Sequence, residues 1–296
     1  TTSASAAVYY KNASNSTIYL RNISFVKNNI SGGYYNMYLY YPAGAAANTL
    51  TTASNRSIIR IDSNVLTDAY YYGIYSYYYS YYPSISYNSI TSRSSSSSYY
   101  GLYINYYNTV DTCMGNKVKL LNSSTGYGIY SYYLNRNASY GASGPCVMAN
   151  NEIISLNGTT NYGIYRYRGQ IDFINNSIYL SGTTTNYGIY INNSDTIEAF
   201  NGRNNIVITN GPQSSTNYPI YTSTANYITT TYLVTLDYND YYSSTGTIAY
   251  AATPIQTLLN WQSTYGQDLH STNILPIFND LNVDMSLANY DPRLIC

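Results

Sequence analysis

The sequence is poor in charge. Of 296 residues, 13 are Lys or Arg and 13 are Asp or Glu, so the formal net charge is zero. Such a chain has no electrostatic footprint for nucleic acid or for an anionic membrane surface. One His and two Glu leave little for acid–base chemistry or for metal ligation. No apolar run approaches the roughly 18 residues that a membrane helix needs. Lys and Glu, the usual residues of a helix surface, number four and two. Cysteine is limited to Cys113, Cys146 and Cys296. The odd count leaves one thiol free or paired outside the chain. A Cys113–Cys146 disulfide is an expectation for an oxidising compartment, and Cys296 could link to a neighbour. No zinc spacing and no phosphate loop are present, and no cofactor is implied.

The chain has instead 44 Tyr, against 4 Phe and 1 Trp. Asn, Ser, Thr and Gly supply much of the remainder. Forty-five per cent hydrophobic residues is too many for a disordered tail. Tyr, Thr, Ile and Val suit a pleated surface, so the composition points to an elongated all-β domain. The chain opens on Thr1 rather than Met and shows no signal peptide, which reads as a processed protein or a segment of a longer one.

Two short motifs repeat in step. The first is Gly73-Ile74-Tyr75, Gly101-Leu102-Tyr103, Gly128-Ile129-Tyr130, Gly163-Ile164-Tyr165 and Gly188-Ile189-Tyr190, flanked by Asn36-Met37-Tyr38 and Pro219-Ile220-Tyr221. The second is Asn, any residue, then Ile, Val or Leu, starting at Asn28, Asn64, Asn88, Asn116, Asn151, Asn176 and Asn204. Long intervals in one series match long intervals in the other. A unit of 25 to 37 residues with alternating apolar runs and no 3.6-residue stripe is one coil of a β-helix. Stacked coils predict an inward ladder of Met37, Ile74, Leu102, Ile129, Ile164, Ile189 and Ile220. They predict an outward ladder of Tyr38, Tyr75, Tyr103, Tyr130, Tyr165, Tyr190 and Tyr221. The Asn series, with Asn88, Asn116, Asn151 and Asn176 at its centre, is expected to stack at a corner. The Gly before each Ile is expected to supply a turn conformation closed to other residues.

The chain resembles right-handed parallel β-helix surface proteins, adhesin-like, of Bacteroidota-type bacteria. The resemblance rests on the repeats and on the opening Ala6-Ala7-Val8-Tyr9-Tyr10-Lys11-Asn12 with Leu20-Arg21-Asn22-Ile23-Ser24-Phe25-Val26. It also rests on the closing segments Asp237-Tyr238-Asn239-Asp240-Tyr241-Tyr242, Thr257-Leu258-Leu259-Asn260-Trp261-Gln262 and Leu275-Pro276-Ile277-Phe278. It implies a right-handed parallel β-helix within a longer surface protein, and an extracellular, cell-surface location. The present chain departs from that family in using Tyr where its members use Phe and Val.

The expected organisation is a solenoid of seven or more coils over residues 1–236 and a C-terminal cap over 237–296. Thr253-Pro254 followed by Ile255, Leu258, Leu259 and Gln262 predicts a short helix near 254–264, stopped at Gly266 and covering the last coil. The N-terminal end shows no comparable cap, so it could accept a partner.

Catalytic groups are sparse. Asp172 with Asp195 on adjacent coils, or Asp237 with Asp240 locally, are carboxylate pairs that invite a glycosidase reading. His270 is expected to pair with Asp268 at the surface. Asp237, Asn239 and Asp240, or Asp280 with Asp284, are candidate calcium clusters, against the alternative of turn capping. The densest aromatic run, with Tyr75, Tyr77, Tyr78, Tyr79, Tyr81 and Tyr82, is a candidate ligand-binding surface for sugar rings or protein. The alternative is that alternate tyrosines fill the interior. These features point to a non-enzymatic structural or adhesive module that builds or extends a surface filament by end-to-end stacking. A glycan-active enzyme and a carbohydrate-binding spike are the alternatives. Expected partners are other copies or tandem modules, then glycans, with no nucleic acid and no membrane insertion.

Overall fold

The structure is a computed structural model that describes residues 5–11, 21–40, 57–136, 144–192, 198–224, 227–228, 234–276, 278–280 and 284–287. Three long parallel sheets run side by side along one axis, and the chain visits them in turn, as in a parallel β-helix. Sheet 1 holds Ala6–Lys11, Tyr35–Tyr40, Tyr72–Tyr77, Ser96–Asn105, Ser123–Leu134, Thr160–Gly169, Thr185–Asn192, Thr216–Thr222 and Ala249–Ala251. Sheet 2 runs from Ile23–Val26 to Val234–Asp237 in eight strands, and sheet 3 from Asn29–Ser31 to Asp240–Ser243 in eight. Nine rungs at about 4.8 Å give a rod of roughly 38 Å between first and last.

The predicted apolar ladder forms as one column. Met37, Ile74, Leu102, Ile129, Ile164, Ile189 and Ile220 are register partners in sheet 1, each fully buried. A second column faces it from sheet 3: Leu66, Ile90, Val118, Ile153, Ile178 and Val207. The two columns explain the glycines, and differently from the expectation. Gly73, Gly101, Gly128, Gly163 and Gly188 do not have positive φ. A Cβ on Gly163 would instead meet Ile178 Cγ2 and the Gly188 carbonyl oxygen, each at 2.6 Å. These positions stay bare so that the sheet 3 aliphatics can reach across the interior.

The corner between sheets 2 and 3 has a fixed grammar. A residue in the left-handed region precedes each ladder Asn: Lys27, Ser63, Tyr87, Gly115, Asn150, Asn175, Asn204 and Tyr238. The ladder itself is Asn28, Asn64, Asn88, Asn116, Asn151, Asn176, Asn205 and Asn239. The expected Asn204 is therefore displaced by one residue. It takes the left-handed turn, and Asn205 takes the stacked amide. Both are followed two positions later by an aliphatic residue, so the motif fits either.

The C-terminal region also differs from expectation. The parallel sheets continue to Ala251, so position 237 falls inside the last coil. Thr253–Ile255 is a strand, antiparallel to Ala249–Ala251, and the helix is the shorter Leu258–Tyr265. Thr257, not Thr253, is its N-cap, accepting from Asn260 N at 3.1 Å, and Gly266 ends it in the left-handed region. Pro254 has no N–H to offer a following strand. The next segment covers the other two edges. Gln267 accepts from Leu236 N (2.7 Å) and donates to Val234 O (3.0 Å), and Thr272 O accepts from Tyr241 N (2.9 Å). At the opposite end, Val8, Tyr10 and Phe25 are only half-buried against the core.

Candidate functional site

The outer face of sheet 1 is a wall of tyrosine. The predicted outward ladder extends at both ends, to Tyr9, Tyr38, Tyr75, Tyr103, Tyr130, Tyr165, Tyr190, Tyr221 and Tyr250. Each ring lies nearly parallel to the next, with centroids 4.5–5.0 Å apart. Beside it runs a second column, Tyr35, Tyr72, Tyr100, Tyr127, Tyr162, Tyr187 and Tyr218, stacked in the same way. The columns meet edge to face, as in Tyr72–Tyr75 (77°) and Tyr127–Tyr130 (86°). A Ser98, Thr125, Thr160, Thr185 and Thr216 column forms one rim.

This herringbone follows from the sequence. In Tyr-Gly-Ile-Tyr, Gly and Ile both turn inward, so the two tyrosines stand on the same side although three residues apart. Identical side chains one rung apart then stack, each such pair worth about 0.5–1.5 kcal/mol beyond its burial. Because ring faces are turned along the axis and used within the column, solvent meets ring edges and hydroxyls. Burial, then repulsion between neighbouring phenols, pushes Tyr35, Tyr38 and Tyr187 up to about 12. The wall is therefore neutral at ordinary pH and rich in hydroxyl donors and acceptors.

The six tyrosines expected to form one aromatic surface do not do so. Tyr75 and Tyr77 are on the wall. Tyr78 and Tyr79 turn the corner with φ of 72° and 49°, and Tyr79 is buried against Tyr107. Tyr81 lies on sheet 2, where its hydroxyl donates to the Asp111 carboxylate. Tyr82 is wholly inside, its hydroxyl 2.6 Å from Ser76 Oγ. Alternation of side chains and the two left-handed residues scatter the run around the coil.

The asparagine ladder forms as a second continuous feature. Asn151 shows its chemistry. Its Nδ2 donates to Cys113 O (2.8 Å) and Asn176 Oδ1 (2.9 Å), while its Oδ1 accepts from Asn116 N and Nδ2 (both 3.0 Å). All four amide bonding positions are used inside the protein. The donors run toward the C-terminal end, and the last of them, Asn239 Nδ2, meets the buried Asp268 carboxylate at 2.9 Å. Asp268 also accepts from Trp261 Nε1 (2.9 Å) and Ser271 Oγ (2.6 Å). Asp268 is thus not the partner of His270. His270 Nδ1 lies 2.8 Å from Asp237 Oδ2, and its ring stacks on Tyr238.

Cys113 and Cys146 are both buried free thiols. Sheet 2 pairs Cys113 with Met148, so Cys146 is offset from it by two residues. Such diagonal neighbours are about 7–8 Å apart, outside disulfide reach. A buried ionic cluster, missed in the sequence, occupies the corner after sheet 1. Glu198 accepts from Arg136 Nε (2.7 Å) and Gly169 N (2.8 Å), while buried Arg166 donates to the carbonyls of Gly169 (2.7 Å) and Glu198 (3.0 Å). Burial lowers Arg166 to about 10. Arg166 sits in an inward column with Leu39, Ser76, Ile104, Ser131, Ile191 and Thr222.

Asp172, Asp237 and Asp240 are each engaged by neighbouring side chains or backbone. Asp172 accepts from Asn201 Nδ2 (2.7 Å), and Asp195 lies outside the described residues. Asp240 accepts from Thr272 Oγ1 (2.9 Å) and Ile274 N (2.8 Å), while Asp237 holds His270. Asp280 and Asp284 are register partners in the hairpin of Phe278–Asp280 and Asp284–Leu287. Among the described residues no group of three His, Cys, Asp or Glu is placed to hold a metal ion, and no helix is long and apolar enough to cross a membrane. Comparison with protein-family models, curated proteins and solved structures finds no match to this chain.

Proposed function

We propose that the chain is a structural and adhesive module, a stiff β-helical rod that makes contact through its tyrosine wall. The observation that carries this reading is the unbroken column of nine stacked tyrosines along one flank. A neutral wall of this length, bearing hydroxyls at the rung spacing, suits extended contact rather than turnover. The C-terminal edges are covered by the chain itself, which favours contact through the flank over end-to-end stacking. The aromatic geometry also weighs against a glycan platform, since sugar rings stack on free aromatic faces and these faces are taken. The resemblance to exported β-helix proteins motivates an extracellular location, which surface biotinylation of producing cells tests.

Surface plasmon resonance tests the contact reading. The full chain is passed over itself, over a neutral polysaccharide and over a hydrophobic surface. Retention on at least one of them is expected, lost in Tyr130→Glu/Tyr165→Glu and kept in Val65→Glu on sheet 3. No retention on any surface, or release of sugar from the polysaccharide, would overturn the reading.

A further inference from the structure

The occupant of the wall can be argued from its period, its area and the charge of the two ends; this rests on the reading of the wall as a contact face. The geometry points to a second copy of the chain, lying antiparallel, tyrosine wall against tyrosine wall.

Period comes first. The wall repeats at the rung spacing over nine rungs. A partner with another repeat falls out of step within a few rungs, whereas a second copy stays in step along the whole length. Columns of identical side chains on in-register strands are also the surfaces that close dry sheet-to-sheet interfaces. Area comes next. About six residues of strand by nine rungs is roughly 20 Å by 38 Å, or some 800 Å² per copy. That equals the roughly 800 Å² per partner of a standard stable interface.

Charge then sets direction. The N-terminal rung carries Lys11, Arg21 and Lys27, and no Asp or Glu precedes Asp62, which pairs with Arg60 in the second rung. The last coil and the segment that covers it carry Asp237, Asp240 and Asp268, and the sequence has no Lys or Arg between Arg203 and Arg293. The neutral chain is therefore polarised along its axis, since the strand order puts Ala6–Lys11 and Ala249–Ala251 at opposite ends of the parallel rungs. Parallel copies would set like charges side by side. Antiparallel copies set unlike ends together, and only full overlap matches both ends at once. Screening over about 10 Å confines this effect to the ends, so it selects orientation and register while the wall supplies contact. A two-fold axis through the middle rung relates the copies and closes the assembly at two.

Sedimentation and distance measurement on the full chain test this. A particle of twice the 33.1 kDa chain mass is expected. Tyr130→Glu/Tyr165→Glu should weaken it at least tenfold, with β-sheet circular dichroism unchanged. Because those variants could disturb the fold, a second readout uses the native wall. In a Cys296→Ser background, a spin label on exposed Thr216→Cys reports the separation of the two copies. Antiparallel full overlap places the labels about six rungs apart, near 30 Å. A label distance under about 20 Å, two rungs' offset in a parallel pair included, overturns the antiparallel assignment. A monomer that is still retained elsewhere through the wall overturns the second-copy inference and leaves the adhesive reading standing. A monomer with no wall-dependent retention overturns both.

Discussion

Replacement of Asn151 by Ala tests the physical basis of the rod. The side chain makes four buried hydrogen bonds, to Cys113 O, Asn176 Oδ1, Asn116 N and Asn116 Nδ2. Its removal strands the Asn116 N–H and leaves each of the other three groups one bond short. An orphaned buried donor costs about 1–3 kcal/mol, and each further lost bond about 1 kcal/mol. The expected cost is therefore about 4–6 kcal/mol, a large part of the roughly 5–15 kcal/mol that holds a domain together. Solenoid rungs contact only their neighbours, so the loss should be local. Hydrogen exchange is the suitable assay. Amides of Thr109–Met114, Lys117–Leu121, Cys146–Ala149 and Glu152–Leu156 should exchange about a hundredfold faster or more. The first and last rungs should be unaffected. Asn28→Ala is the control, because Asn28 is exposed at the ladder's end and its side chain donates to Asn64 Oδ1 without the further bonds that Asn151 makes. An Asn151→Ala effect below about 1 kcal/mol, or equal to that of Asn28→Ala, would refute the claim that the amide column holds the corner together.

Four further outcomes are expected. Gly163→Ala should cost about 1–3 kcal/mol by overpacking against Ile178, whereas Gly144→Ala, with open space around it, should be neutral by thermal denaturation. Stability should be level from neutrality to about pH 8, then fall, first as the thiols of the unfolded chain ionise while buried Cys113 and Cys146 do not, and more steeply above about pH 10. Tyrosines with raised folded pKa keep their protons while the unfolded chain, ionising near 10, loses them, so the unfolded state gains as pH climbs toward 12. Fully buried Tyr82, pushed up to about 12, would contribute about 3 kcal/mol to that loss, and each half-exposed wall tyrosine less because solvent screens it. Alkaline denaturation followed with phenolate absorbance checks both. In a Cys296→Ser background, Cys113 and Cys146 should resist a thiol reagent until the chain unfolds, since burial raises both pKa values, Cys113 to about 12. Asp268→Ala should unpair Trp261 Nε1 and Asn239 Nδ2 together, cost about 3 kcal/mol or more, and red-shift the tryptophan emission as the cap loosens.

The sequence by itself determined whatever recurs once per rung. A coil places equivalent residues over one another, so the interior keeps selecting one kind of side chain at one position. Ile74, Leu102, Ile129, Ile164 and Ile189 could be read from a repeated triplet for that reason, and so could Asn88, Asn116, Asn151 and Asn176. The outward tyrosine ladder followed from the same period. What the sequence left open was everything set by a single contact or by the sign of one φ. Asn204 and Asn205 satisfy one motif equally, and only the left-handed turn at Asn204 separates them. The Tyr75–Tyr82 run looked like one surface until two left-handed residues sent its members to the wall, the corner, sheet 2 and the core. Arg136, Arg166 and Glu198 meet across 62 residues with no repeat to announce them, and His270 finds Asp237 across 33. Tertiary structure alone also decided that stacked rings spend their faces on one another, because ring orientation depends on the rung above and the rung below, which no single repeat contains.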